Sequence, residues 1–338
     1  MNTQKFVFEL KDLLDILRCL SKVADKRNVN PVFGCVVFSI TQSGTLLKAT
    51  NGEIIIHSTL SNVKSYDNIE EFAISAHILY ELLKSIHDTK VEFNLYDSCI
   101  VLKHRTGECS LNKIAITCWA DEDYESDNCV KGVINTSMFM TSLRLVKVAM
   151  SLNDARSILN GIHMQGRGQG LLLTATDCLS KIAHMKIGAT LTQDFNFTIS
   201  AKSVEILMSL MLGASQQSDF TVYDKVIKFH IDSKILIIRQ VNGTFPDCSK
   251  ALTDDENTTK SVAIDVQEIN SILNRMLLLL DNVNKKLHFA LEKDHLTISV
   301  NNIVNGCAMS EELQISSDIK YGFYVNGYAI ADYLKNFS

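Results

Sequence analysis

No apolar run in this sequence approaches the ~20 residues that a membrane-spanning helix needs. The opening MNTQKFVFELKDLL lacks a basic stretch leading into an apolar one, so it does not read as a secretory signal and a cytoplasmic location is expected. Nine cysteines (19, 35, 99, 109, 118, 129, 178, 248 and 307) form no C-x-x-C pair. Their number is odd and their placement scattered, which points to reduced thiols serving as small buried hydrophobes. No metal site is expected. Walker, H-E-x-x-H and G-x-S-x-G motifs are absent, and the nine histidines show no ligand spacing. The glycines of QGRGQG (Gly166, Gly168, Gly170) precede the strand pattern LLLTATD rather than a helix, so they read as a hairpin turn and not as a phosphate loop. Nothing assembles a nucleophile, a base and an orienting group. A cysteine hydrolase built on Cys178 would need a base and an oxyanion hole that the sequence does not display. A non-catalytic protein without a cofactor is the expectation.

What is present is a repeat. FAISAHILYELLKSI begins at Phe72, FTISAKSVEILMSLM at Phe197 and FYVNGYAIADYLKNF at Phe323, 125 and 126 residues apart. Each copy has a strand-like entry and then Ser75, Ser200 or Asn326, side chains able to accept from the free N–H groups of a following helix. Apolar residues then recur at matched places, Leu79/Val204/Ile330, Leu82/Leu207/Tyr333, Leu83/Met208/Leu334 and Ile86/Met211/Phe337, one stripe on one helix face. The period suits whole domains. With 46% hydrophobic and 21% charged residues the chain has core enough for them. The expected division is 1–128, 129–252 and 253–338, with the acidic linker ADEDYESDN closing the first segment. Lys and Arg stand against Asp and Glu as 13 to 18, 13 to 8 and 7 to 12 in these segments, which sums to the net charge of −5. A protein that grips nucleic acid tightly is basic over a whole face; this one can touch it only where its cations are concentrated.

In chain order, KFVFEL reads as a strand entering a helix with Leu10, Leu13, Leu14, Leu17 and Leu20 on one face and Lys11, Asp15, Arg18 and Lys22 on the other. VFGCVVFSI and TLLKATNGEIIIHSTL read as strands, and VEFNLYDSCIVLKHRT and GECSLNKIAITCW as two more. The second segment repeats this order: Arg144 lies 126 residues after Arg18, and Ala175-Thr176-Asp177 lies 126 after Ala49-Thr50-Asn51. The third reaches its copy of the 15-mer and then Ser338, so a last pair of strands is expected to be missing, leaving an open sheet edge. Basic residues sit on the predicted helices, Lys11, Arg18, Lys22, Lys84, Arg144, Lys147 and Lys202, and suggest a common surface toward a polyanion. The third segment's helix offers mainly Gln267, Asn270 and Asn274, with Arg275 alone charged.

These residues resemble a known family, the bacterial sliding clamp, the beta subunit of DNA polymerase III. The likeness rests on KRNVNPVFG, ATNGEI, NDARSILNGI leading to TATD, RQVNGTFPD, HFALEKDHLTISVNN and the GFYVN–helix segment, and on the only two prolines, Pro31 and Pro246, falling within those motifs. It implies an α+β fold of three tandem clamp domains, helices on one face of antiparallel sheet, in a head-to-tail homodimer ring around duplex DNA. Such a clamp would hold DNA topologically, with contacts independent of sequence, and would recruit polymerase and clamp-loader subunits through linear peptides. By the same resemblance Leu159, Thr176, Cys178, Lys181, Ile182, Pro246, Lys250 and Ala251, with Asn326, match the walls of the peptide cleft. Arg27 and Asn153 match DNA-contacting positions. Cys109 and Leu111 would meet Leu279 and Leu280 of a second subunit. The family reads Thr-Asp-Gly where this chain has TDCLSKIA, with Cys178 for the glycine, one extra residue and Lys181 for an arginine that offers a planar fork. The rival expectation, favoured by the absent strands and altered cleft, is a degenerate clamp-like interaction protein that cannot form or load a ring.

Overall fold

The computed structural model describes the chain except residues 1–3, 26, 42–43, 61–69, 117–118, 120–125, 152, 250–260, 281–284, 318, 336 and 338. Most of the acidic linker and all of 250–260 thus lie outside the described residues.

The first repeat comprises β1 (Gln4–Glu9), α1 (Leu10–Val23), β2 (Cys35–Thr41), β3 (Gly44–Thr50), β4 (Ile54–Leu60), β5 (Glu70–Ser75), α2 (Ala76–Ser85), β6 (Lys90–Leu95), β7 (Cys99–His104) and β8 (Gly107–Asn112). The second runs in the same order through β9 (Val130–Asn135), α3 (Thr136–Val146), β10 (Gly161–Arg167), β11 (Gly170–Thr176), β12 (Ile182–Leu191), β13 (Phe195–Ser200), α4 (Ala201–Met211), β14 (Gln217–Val222), β15 (Val226–Ile231) and β16 (Lys234–Arg239). The third contains α5 (Val266–Leu277), β17 (Lys286–Glu292), β18 (His295–Asn302), β19 (Cys307–Gln314), β20 (Tyr321–Asn326) and α6 (Gly327–Leu334). The second helix of repeats one and two is therefore followed by three strands, not the two expected, because VEFNLYDSCIVLKHRT folds back on itself as β6 and β7. Residues 261–265, at the place of β1 and β9, form no strand. The strands that pair with β1 and β9 are β6 and β14, and these have no counterpart among the described residues of the third repeat.

Contacts group the chain into two units, one of Met1–Met140, His163–Leu172 and Lys186–Asn242, the other of Thr141–Ile162, Leu173–Met185 and Gly243–Ser338. In the first, a sheet in the order β1-β6-β7-β8 accompanies a larger one containing the run β9-β14-β15-β16-β4-β3-β2-β5. Its decisive joint is the antiparallel pairing of β16 with β4, Lys234 opposite Ser58 through Ile238 opposite Ile54, which makes β2–β5 of repeat one share one sheet with the strands of repeat two. In the second unit the sheet order is β19-β18-β17-β20.

The predicted helix face is borne out in α1 except at Leu14, which is only half-buried: the helix buries Leu10, Leu13, Ile16, Leu17, Leu20 and Val23 while Lys11, Asp15, Arg18 and Lys22 stay exposed. Each such burial contributes about 1.5–3 kcal/mol. The helix packs on α2 and α4. In the second unit α5 sets Ile269, Ile272, Leu273 and Met276 on Leu287, Phe289, Leu296 and Ile298 of the sheet. Asp265 caps it, its carboxylate accepting from the N–H groups of Gln267 and Glu268.

Three local expectations are corrected. Pro31–Gly34 is a short 3-10 turn rather than the start of a strand, because the Asn30 side chain accepts from Val32 N and Pro31 opens the turn. Ser75 makes no side-chain cap bond, whereas Ser200 accepts from Ser203 N and Asn326 from Tyr328 N and Ala329 N. In the third copy of the 15-mer the apolar stripe does not bury throughout: Tyr333 and Phe337 are exposed and meet edge to face at 5.2 Å. QGRGQG is the expected hairpin turn, with Gly168 at φ +54 and its N–H donating to Asp194.

Candidate functional site

The turn between β11 and β12 is built around Asp177. Its Oδ1 accepts the N–H groups of Leu179, Ser180 and Lys181 at 2.8–2.9 Å, and its Oδ2 accepts the Ser180 hydroxyl. Burial works against the charge, but these donors outweigh it and hold the carboxyl at a pKa of about 2. Thr176, itself buried, donates its hydroxyl to Lys181 O at 2.7 Å and accepts from Cys178 N at 3.0 Å. The first repeat contains the same device between β3 and β4: Thr50 donates to Ile54 O and accepts from Gly52 N, and Asn51 accepts from the N–H groups of Glu53 and Ile54. Gly52 has φ +90, and Cys178, 126 residues on, has φ +58. The second repeat thus places a side chain in a left-handed conformation that glycine adopts without strain.

This turn forms one wall of a cavity of about 350 Å³; Pro246, Asp247 and Cys248 form the other. Of the residues expected here, Thr176, Cys178, Lys181, Ile182 and Pro246 line it. Lys181 sends its ammonium toward Val148 O at 3.5 Å. Leu159 is not part of the described lining: it is 1% exposed, at the end of the short helix Ser157–Leu159, and acts as core. Lys250 and Ala251 lie outside the described residues. Sequence reasoning missed Leu179, Ser180, Asp247 and Cys248. Leu179, apolar yet 89% exposed, is the signal that could have been read, since a leucine in a polar turn has no core to serve. Arg156, paired with Asp154 at 3.0 Å, also interacts with Cys178.

A second cavity, of about 660 Å³, adjoins the first at Ser180 and is lined by Asn326, Tyr324, Tyr333, Ile330 and the basic pair Lys285 and Lys286. Asn326 is thus both the cap of α6 and a wall residue. Apolar surface with a few fixed polar groups, in two adjoining hollows, suits an extended peptide with apolar side chains.

The cations expected to meet DNA are distributed over both units. In the first, Lys11, Arg18, Lys22, Arg27, Lys84 and Lys202 are all exposed, Arg18 lying 3.6 Å from Asp15 and Arg27 3.9 Å from Asp25. In the second, Arg144 and Asn153 are exposed and Lys147 is half-buried. Arg275 is committed elsewhere: its guanidinium grips both carboxylate oxygens of Glu311 and the Ser271 hydroxyl. Cys109 and Leu111 lie on β8, an edge strand, with Leu111 buried. Leu279 and Leu280 pack against the core between α5 and its sheet, and Leu279 O accepts from the Asn302 side chain at the end of β18.

Residues 4–126 match the family model of the DNA polymerase III beta subunit, N-terminal domain, and residues 133–247 that of its central domain. The beta sliding clamp of Bacillus subtilis is 21% identical over 341 residues, covering 94% of this chain and 88% of its own. That of Rickettsia bellii is 22% identical over 327 residues, covering 95% and 84%. Among solved structures, a sliding clamp from Pseudomonas aeruginosa bound to griselimycin superposes with a TM-score of 0.91 at 18% identity, over 99% of this chain and 90% of that one. The DNA polymerase III beta subunit from Thermotoga maritima gives 0.88 at 17%, with the same coverage.

Proposed function

This chain belongs to the DNA polymerase III beta-subunit family, and from that premise we propose that it is a sliding clamp, a non-catalytic processivity factor that holds duplex DNA by encircling it. The observation that carries the reading is the joint between β16 and β4. By their place in the repeats, β8 corresponds to β16 and β19 to β4, and both are edge strands. In a head-to-tail homodimer, β8 of each copy meets β19 of the other as β16 meets β4 within the chain, and a repeated heterologous contact of this kind closes into a ring. Cys109 and Leu111 bring the first face, while Leu279 and Leu280 support the second.

Lys11, Arg18, Lys22, Arg27, Lys84, Arg144, Lys147, Asn153 and Lys202 supply contacts to phosphate that carry no sequence information and can be exchanged as the ring moves. Polymerase and clamp-loader subunits dock by linear peptides in the cleft between Thr176–Ile182 and Pro246–Cys248, with Asn326 in the adjoining hollow. The clamp acts in the cytoplasm, where its thiols are kept reduced. Light scattering across a dilution series tests the ring: a species of twice 37.7 kDa is expected. Retention on nicked circular DNA, with loss when that DNA is linearised, tests the encirclement. A monomer that binds circular and linear DNA alike overturns both.

A further inference from the structure

Two cysteines face one cleft. Cys178 is exposed on the turn centred on Asp177; Cys248 is half-buried on the opposite wall, its thiol 3.5 Å from Pro246 O. No other described cysteine lines either cavity. We propose that Cys178 and Cys248 are a redox pair whose oxidation to a disulfide closes the cleft to peptides. The closing rests on the reading of this cleft as the peptide site; the pairing of the two thiols does not.

The residues differ in a way that orders the chemistry. Burial, and then the charge of Cys178 across the shared cavity, push the Cys248 thiol up. Exposure makes Cys178 the sulfur that a reagent meets first. Its thiolate attacks one sulfur of a small disulfide such as glutathione disulfide; the S–S bond breaks and one glutathione thiolate leaves, taking up a proton from water. Cys248, deprotonated in turn, attacks the Cys178 sulfur of this mixed disulfide and expels the second glutathione thiolate. Two protein thiols are oxidised to one disulfide, and glutathione disulfide is reduced to two thiols.

The bond would tie the turn to the segment after Pro246 across a cavity of about 350 Å³, leaving no room for an apolar side chain. Arg156, which interacts with Cys178, stands beside the same wall.

The test treats the whole chain with graded glutathione disulfide, quenches by alkylation and maps the peptides by mass spectrometry. In parallel, a fluorescein-labelled linear clamp-binding peptide is titrated by fluorescence polarisation. A Cys178–Cys248 cross-linked fragment, lighter by two hydrogens, is expected together with at least about a tenfold loss of peptide affinity, both reversed by dithiothreitol. C178S should hold its own reduced-state affinity under oxidant, while C248S should stop at the glutathione mixed disulfide on Cys178. A mixed disulfide at Cys178 that never resolves overturns the pairing. A cross-link that leaves affinity unchanged overturns the closing. A reduced chain that binds no peptide overturns the cleft reading, while the cross-link still decides the pairing by itself.

Discussion

Gly132 on β9 lies opposite Phe220 on β14, and the phenyl ring fills the space a side chain would take: a Cβ on Gly132 would sit 2.2 Å from its Cζ. Phe195 uses Gly166 in the same way, its ring 2.4 Å from where a Cβ would be, and the two rings meet edge to face at 5.8 Å. Two glycines thus vacate the volume for one aromatic pair. G132A should lower the urea midpoint by the equivalent of about 1–3 kcal/mol, the cost of overpacking. An unchanged midpoint would mean that the ring has somewhere else to go.

The matched turns yield an opposed pair of substitutions. C178G removes a side chain from φ +58 and should raise stability by about 1 kcal/mol, the left-handed penalty less the glycine entropy. G52A does the reverse at φ +90, where its Cβ would also meet Phe33 at 3.1 Å. Calorimetry of both variants checks the signs, and a C178G variant that melts lower than the parent contradicts the account.

Acid should loosen the cleft wall before it unfolds the protein as a whole. The Asp177 pKa is depressed from 3.8 to about 2, so its contribution is complete above the unfolded value and is lost as pH falls through the folded one. With the carboxylate partly open to solvent that contribution is on the order of 1 kcal/mol. Amide exchange at Leu179, Ser180 and Lys181 should quicken between these two values, and in D177A it should be fast at neutral pH.

His163 loses stability in the same direction for a different reason, since the fold disfavours its charged form. Its Nδ1 is 2.9 Å from the Thr198 hydroxyl, and burial pulls its pKa from 6.5 down to about 4. The unfolded chain therefore takes up a proton first, and folding loses stability as pH drops from the higher value to the lower. An imidazole resonance moving with a midpoint near 6.5 in the folded protein would refute this.

The amphipathic face of α1, the hairpin at Gly168 and the correspondence of Thr50 with Thr176 were legible because each is written in local spacing or in the repeat itself. Leu159 was not, since an apolar residue in a motif reads alike as wall or core until its neighbours are placed. Nor was the engagement of Arg275, whose partner Glu311 lies 36 residues on, across a helix-to-sheet contact. The missing strand at 261–265 makes the same point: a strand needs a neighbour to pair with, and no property of those five residues reports whether one exists.

The β16–β4 joint has one property that no joint between separate chains can share. Because both strands belong to one polypeptide, their effective concentration is fixed by the connecting chain and does not change with dilution. Its loop-closure entropy is spent once, during folding. In a ring of two such chains this seam stays shut however scarce the protein becomes, and opening falls to the seams where strangers meet.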